Sequence, residues 1–346
     1  MTKRVILQVD GGGILGITPA IVLSELEARI RQRRGQAGFL LRDTLTLCCG
    51  TSTGAIIAGF VVAGVPADKI KEFYLKDGVD LFNNSQNPMY TRLYQPKFKR
   101  EPFLDKLDEV LGQHGAARNA SINLGDLPKS PESIKFMATA YNLCSHRTHF
   151  VKSDDSHDGG FTLRRVISWS ALSAAYYFGK IKAPDYVWTL VDNATRSDCE
   201  TKDEKVGAVF QDGGQGTQNC TLDFVLTEIL ANNWAANGDE VVIISLGTGG
   251  CTKFERYDDA KNIIDLGQTI KFLLNQAREE STVVQKLAAC YVAKYRSKNI
   301  KLFRLDYETT KDYSLDDTEH VAVYEKGASD IIRSATFDTL VSLLDP

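Results

Sequence analysis

No C-x-x-C pair occurs in this chain, and its seven cysteines, Cys48, Cys49, Cys144, Cys199, Cys220, Cys251 and Cys290, are scattered and odd in number. That spacing suggests neither a zinc site nor a disulfide framework, and it fits buried free thiols in a reducing compartment. No apolar run is long enough to cross a bilayer. Met1 to Ile6 passes straight into a strand pattern broken by Asp10, without the apolar core and cleavage site of a secretory leader. A cytoplasmic protein is therefore expected. A strong charge of either sign is missing too: 41 Lys and Arg against 44 Asp and Glu leave a net charge of −3, so no DNA partner is expected. There is no internal repeat, low-complexity tract or clear linker, and a single domain over 1–346 is the expectation.

What is present is a strand-and-helix alternation. Arg4 to Asp10 is a near-continuous apolar run, the mark of a strand covered on both faces. A glycine loop follows, Asp10-Gly11-Gly12-Gly13-Ile14-Leu15-Gly16. Thr18 is placed to cap a helix and Pro19 to begin it, and the helix ends in arginines before Gly35. A second strand, Leu45 to Cys49, leads into Gly50-Thr51-Ser52-Thr53-Gly54 and an apolar helix from Ala55 to Ala63. The unit is β–loop–α–β–turn–α, which implies parallel strands with right-handed crossovers. Further on, the patterns predict a short helix over Pro66–Lys76 closed by Gly78, and a helix over Pro102–Leu111. Strands are expected at Lys135–Asn142, His146–Val151, Val206–Gln211, Glu240–Gly249 and Lys301–Tyr307. Helices are expected over Thr162–Phe178, Leu222–Trp234, Asn262–Ala293 and Ala328–Leu344.

Gly50 to Gly54 is a G-x-S-x-G turn between a strand and a helix, the arrangement that exposes a serine nucleophile. Gly50 and Gly54 leave room for strand and helix backbones to approach, and the helix start turns unpaired N–H groups toward Ser52. Gly11, Gly13 and Gly16 also match the dinucleotide fingerprint G-x-G-x-x-G. That use requires an acidic residue at the end of the second strand, where this chain has Gly50 and the serine turn. The other use is an oxyanion site: adjacent strands would set the amides of Gly11, Gly12 and Gly13 beside Ser52. Asp212, followed by Gly213-Gly214, puts a carboxylate at another strand end. The Asp80–Arg100 stretch is aromatic and carries Arg92, Lys97, Lys99 and Arg100, as a lid, a surface for anionic lipid or nucleotide, or a solvated loop would. Ser168 to Ala175 is rich in small residues, and Tyr176, Tyr177 and Phe178 after it are either acyl-pocket walls or part of an ordinary packed helix.

Taken in order, Asp-Gly-Gly-Gly-x-x-Gly, Gly-Thr-Ser-Thr-Gly, Ser-Ala-x-Ser-Ala-Ala, Asp-Gly-Gly and Ser-Leu-Gly-Thr-Gly resemble the patatin-like phospholipase family across residues 4–250. The resemblance implies an α/β fold of three layers, with a mostly parallel central sheet flanked by helices, and residues 251–346 as a C-terminal helical extension completing it. It implies a metal-independent lipid acyl hydrolase without cofactor that works by a Ser-Asp dyad, with Ser52 as nucleophile, Asp212 as base and Gly11, Gly12 and Gly13 as the oxyanion hole. Its partners would be membrane phospholipid and, transiently, the inner membrane surface. Compact bacterial members of this size include antiviral effectors switched on by a cyclic oligonucleotide. Such an activator, bound through 80–100, 184–205 or the C-terminal part, is a further expectation, as is self-association into a homo-oligomer. The chain departs from the family at Leu15, where Arg or Lys is usual, and at Tyr176, where Pro is usual. Those departures leave a non-catalytic ligand-binding module as the alternative. His320 is the alternative base, since Ser52, Asp212, His320 follows the chain order of α/β-hydrolases.

Overall fold

The computed structural model describes the chain apart from residues 1, 93, 115–121, 128–133, 156–157, 187–189, 192–200, 203–206, 216–217, 252–280, 297, 310 and 346. Its centre is an eight-stranded sheet. Strands β1 (Lys3–Val9), β2 (Leu47–Gly50), β3 (Lys135–Asn142) and β4 (Arg147–Lys152) come from the first half of the chain. Strands β5 (Ile181–Ala183), β6 (Ala208–Asp212), β7 (Glu240–Leu246) and β8 (Ile300–Leu305) follow. β8, β7, β1, β2 and β3 lie side by side and all parallel. β4 and β6 both pair antiparallel with β3, and β5 pairs antiparallel with β6.

The apolar strand runs are explained by the two cores they feed. Val5, Leu7 and Val9 of β1 and Val242, Ile244 and Leu246 of β7 point into a large core. That core is closed by helices α1 (Ile17–Arg34), α2 (Thr53–Ala63) and α6 (Leu163–Ala171). Ile6, Val241 and Ile243, alternating with them, enter a second core with Leu222, Val225 and Ile229 of α7 (Leu222–Ala231). Period-two alternation thus sends β1, β2, β3, β7 and β8 into both cores, which is why β1 and β7 show no polar face in the sequence.

The local reading holds in some places and gives way in others. Gly35 closes α1 in the left-handed conformation with its N–H on the Arg31 and Gln32 carbonyls. Thr18 does not cap α1. A 3₁₀ turn over Gly13–Gly16 runs directly into the helix at Ile17, and the buried Thr18 hydroxyl instead donates to the Tyr324 carbonyl at 2.9 Å. Nor does Gly78 close a helix. α3 (Ala67–Glu72) widens into a π-helical turn over Phe73–Gly78 and continues as α4 (Val79–Asn84), with Gly78 at ordinary helical angles. The helix expected over Thr162–Phe178 ends at Ala171. Beyond it, the Arg100 guanidinium, just ahead of α5 (Glu101–His114), donates to the carbonyls of Leu172, Phe178 and Gly179 at 2.7–2.8 Å. A half-buried cation that takes up these carbonyls competes with helix continuation.

The C-terminal part is more than a helical extension. It supplies the edge strand β8 as well as α8 (Val321–Ile332) and α9 (Ala335–Leu344), which pack on α1. Most of the helix expected over 262–293 lies outside the described residues, as does most of 184–205.

Candidate active site

Ser52 sits between β2 and α2 at φ 55°, ψ −123°, a strained conformation for a residue with a side chain. Its surroundings leave it little alternative. A Cβ on Gly50 would overlap the Gly54 backbone, and one on Gly54 would overlap the Val9 carbonyl, so strand and helix touch at this corner. The Ser52 N–H donates to Ser170 Oγ of α6 at 3.0 Å. The hydroxyl side of the residue is half-buried and faces a cavity.

The sheet register brings Asp212 to that serine. β2 occupies one edge of β3, pairing Leu47–Gly50 with Lys135–Ala138. β4 occupies the other edge, pairing with residues 137–142. β6 pairs with Ala140–Asn142, where β4 already holds its own edge, so β6 must lie on the edge that β2 has just left. β2 and β6 therefore run head-on toward each other along one side of β3. β2 stops opposite Ala138 and β6 stops with Asp212 opposite Ala140. The serine turn and the carboxylate meet in the gap. Thr139, between those two register positions, shares a 2.6 Å hydrogen bond with the Thr51 hydroxyl, and a Cβ on Gly213 would overlap its side chain. Asp212 does end a strand, and that strand runs antiparallel to β3, so the carboxylate arrives from the direction opposite to the serine turn.

Ser52 and Asp212 line the same cavity, the serine side chain near enough to favour the ionised carboxylate, and the Gly214 N–H donates to Asp212 Oδ1 at 2.8 Å. Asp212 is 5% exposed. Burial pushes its pKa up to about 7, against the Ser52 side chain and the Gly214 N–H, which act to lower it. His320 lies elsewhere: its Nδ1 is held by the Asp317 carboxylate at 2.9 Å, its ring lies tilted against Tyr313, and it does not line the cavity.

The glycine loop follows β1 and borders the same cavity at Gly13. Gly11 corrects an expectation. Its N–H donates to the Asn219 carbonyl at 3.0 Å, so it is not available to a substrate. The N–H groups of Gly12 and Gly13 have no acceptor among the described residues. Gly13 is left-handed, φ +57°, and a Cβ on it would overlap the Leu315 carbonyl, which accepts the Ile14 N–H at 2.8 Å. Behind the loop, Asp10 is fixed by Gln8 at 2.8 Å and by Arg304 of β8 at 2.6 Å. Arg304 also reaches Asp306 at 2.5 Å and the Ser245 hydroxyl at 2.8 Å. A cation is thus supplied to the loop from the far end of the chain, whereas position 15 carries Leu.

The cavity, with about 60 Å³ of free space, has Ser52 and Asp212 at its polar end. Phe73, Phe82, Phe103, Leu172, Tyr177 and Phe178 form much of its apolar wall. Tyr177 and Phe178 stand where pocket residues were expected; Tyr176 does not, being 58% exposed and off the lining. A larger cleft of about 430 Å³, bordered by Arg304, Tyr307 and Lys326, holds neither the serine nor Asp212, so size does not pick out the chemistry. Among the described residues, no group of His, Cys, Asp and Glu is arranged to hold a metal ion.

Sequence reasoning missed Ser170, Asn219, Thr248, Leu315 and Arg304. Each is a single common residue far along the chain from the group it serves. Two of them lie in quoted motifs, which were the available signals: Ser170 opens Ser-Ala-x-Ser-Ala-Ala, and Thr248, which donates to the Gly11 carbonyl at 2.7 Å, lies in Ser-Leu-Gly-Thr-Gly.

A family model described as patatin-like phospholipase matches residues 7–225 of the chain. Patatin-05 of Solanum tuberosum is 25% identical over 283 residues, covering 80% of this chain and 68% of that protein. Patatin group A-2 of the same plant matches with the same identity and coverage. Among solved structures, VipD from Legionella pneumophila aligns with 97% of this chain and 67% of its own at 15% identity and a TM-score of 0.40. Similarity that low says nothing of activity.

Proposed function

We propose, from the premise that this chain belongs to the patatin-like phospholipase family and is a lipid acyl hydrolase by that membership, that Ser52 and Asp212 cleave acyl esters of membrane glycerophospholipids as a two-residue catalytic unit. One observation carries the reading: the Ser52 side chain shares a cavity with a carboxylate stripped of water and is near enough to favour its ionised form, and among the described residues no imidazole lines that cavity. A serine hydroxyl needs a base in contact, and a solvated aspartate is too weak a base for the task. Raised to about 7, Asp212 matches neutral pH and can both take a proton and return it.

The route balances as follows. Ionised Asp212 takes the hydroxyl proton while Ser52 Oγ bonds to the ester carbonyl carbon. The negative charge that forms on the carbonyl oxygen is met by the free N–H groups of Gly12 and Gly13; one such donor is worth on the order of 10² to 10³ in rate. The carbon–oxygen bond to the lysolipid breaks, and Asp212 gives its proton to the departing oxygen. Asp212 then deprotonates a water that attacks the acyl-serine, and the proton goes back to Ser52 as the fatty acid leaves. Tyr177 and Phe178 would contact the acyl chain. The scheme uses no metal or cofactor.

Purified protein is expected to release fatty acid from phospholipid vesicles and to be labelled by a fluorophosphonate, with the adduct on the peptide containing Ser52. Protein inert in both assays would favour the non-catalytic module.

Action at the inner membrane face and self-association belong to the same proposal. So does activation by a cyclic oligonucleotide in antiviral defence, but two of the cations that motivated it already have internal partners. Lys97 pairs with Asp316, and Arg100 holds carbonyl oxygens. Titrating lipase activity with cyclic di- and trinucleotides decides that point.

A further inference from the structure

The segment after α4 folds into a hairpin with a fixed root and a bare tip. Residues 85–87 pair antiparallel with 97–99 through the Gln86–Phe98 bridge, Asn87 N–H to the Lys97 carbonyl at 2.8 Å, and Lys99 N–H to the Ser85 carbonyl at 2.8 Å. The returning strand also joins the cavity wall: Lys97 and Phe98 donate to the Tyr176 and Tyr177 carbonyls at 2.9 and 2.7 Å. Phe98 is fully buried against the rings of Phe82, Phe103, Tyr177 and Phe178, and the Lys97–Asp316 pair ties the root to the loop ahead of α8.

The tip, among the described residues, is held by local hydrogen bonds and leaves its large side chains out. Met89, Tyr90 and Tyr94 are 77%, 81% and 86% exposed, far more than large apolar groups need be on a folded chain, and Tyr176 beside the root adds a fourth. Two further observations say what covers them. From Tyr176 the aromatic surface is continuous inward: Tyr176 touches Tyr177, Tyr177 stacks on Phe98, and Tyr177 and Phe178 line the cavity that holds Ser52. The charge is one-sided as well. Residues 81–100 contain no Asp or Glu, and while Lys97 and Arg100 are held internally and Arg92 donates to Gln86, Lys99 is left exposed at the root. Amphipathic tyrosine rings flanked by cations suit the boundary between lipid headgroups and acyl chains, and the cations suit anionic headgroups.

We propose that the hairpin tip, with Met89, Tyr90 and Tyr94, inserts into the headgroup region of a bilayer containing anionic glycerophospholipid and so sets the mouth of the Ser52 cavity against its substrate. The proposal deepens the phospholipase reading and rests on it for the direction of lipid travel, while docking itself requires no chemistry.

The test separates the two. Binding is measured by co-sedimentation with phosphatidylglycerol vesicles and with phosphatidylcholine vesicles, using Ser52→Ala protein so that no lipid is consumed. Hydrolysis of a monomeric short-chain nitrophenyl ester is measured on protein with Ser52 intact. Adding Met89→Ser, Tyr90→Ser and Tyr94→Ser together is expected to weaken vesicle binding by about tenfold or more, since each exposed ring or thioether loses its transfer into the interface. Ester hydrolysis by the same triple in the active background should stay at the parental rate. Lys99→Glu is expected to weaken binding to phosphatidylglycerol and leave phosphatidylcholine binding unchanged. The proposal is overturned if the triple binds vesicles as the parent does. It is also overturned if ester hydrolysis falls in proportion to binding, which would make the tip part of the catalytic cavity. A parent with no esterase activity whose triple still loses vesicle binding would sink the hydrolase reading and leave the docking surface standing.

Discussion

Asp212→Asn is expected to lower kcat for ester hydrolysis by on the order of 10⁴, by analogy with the loss when the carboxylate of a serine-hydrolase triad becomes an amide. In the proposed unit the carboxylate stands beside the serine itself, so the amide would leave Ser52 with no group able to take its proton. The same substitution should make the protein more stable above neutral pH. Burial holds the folded-state pKa of Asp212 near 7, above the ordinary carboxylate value of 3.8. The folded chain therefore keeps this proton when the unfolded chain has lost it. Between about pH 4 and 7 the stability of the parent falls as pH rises, and above 7 the full cost of a buried charge is present, on the order of 2–4 kcal/mol. Asparagine carries no such cost. Thermal unfolding at pH 8 should show Asp212→Asn melting several degrees above the parent, and at pH 4 the two curves should converge. A variant less stable than the parent at pH 8 would mean that the carboxylate is not desolvated as described.

Gly13→Ala is the second large effect. It meets two obstacles, a left-handed backbone at φ +57° and a Cβ that would overlap the Leu315 carbonyl. To accommodate a methyl group the loop must move, and the free N–H groups of Gly12 and Gly13 move with it. A fall in kcat on the order of 10² to 10³ is expected, the scale for losing an oxyanion donor, with KM little changed. Gly35→Ala is the control. Gly35 has nearly the same angle, φ +62°, but open space where its Cβ would be, and it closes α1 at the end opposite the loop. It should lose roughly 1 kcal/mol of stability from backbone strain alone and keep its kcat. Equal kcat losses in the two variants would remove Gly13 from the account.

These residues differ in how far the sequence announces them. The serine turn is legible because its requirement is local: an apolar strand, a corner too tight for anything but glycine at Gly50 and Gly54, then an apolar helix. The glycine loop is legible for the same reason, and Asp212 because it ends a strand. The rest depends on contacts between distant parts of the chain. Nothing near Gly11 says that Asn219 will take its N–H. Nothing near Leu15 says that Arg304, in the last strand of the sheet, will reach Asp10. The antiparallel course of β6 is hidden too, since a short apolar run reads alike in either direction. Secondary structure failed where tertiary groups overrode local pattern: Arg100 claims the carbonyls beyond α6, and Gly78 passes through a helix that its composition would end.

The central claim is that Asp212 is the group that activates Ser52, and the pH dependence of fluorophosphonate labelling tests it without any lipid. The parent should label faster as pH rises, with a midpoint near 7. His320→Ala should give the same curve, and Asp212→Asn should label slowly with no midpoint there. A midpoint near 7 that persists in Asp212→Asn and disappears in His320→Ala would contradict the account.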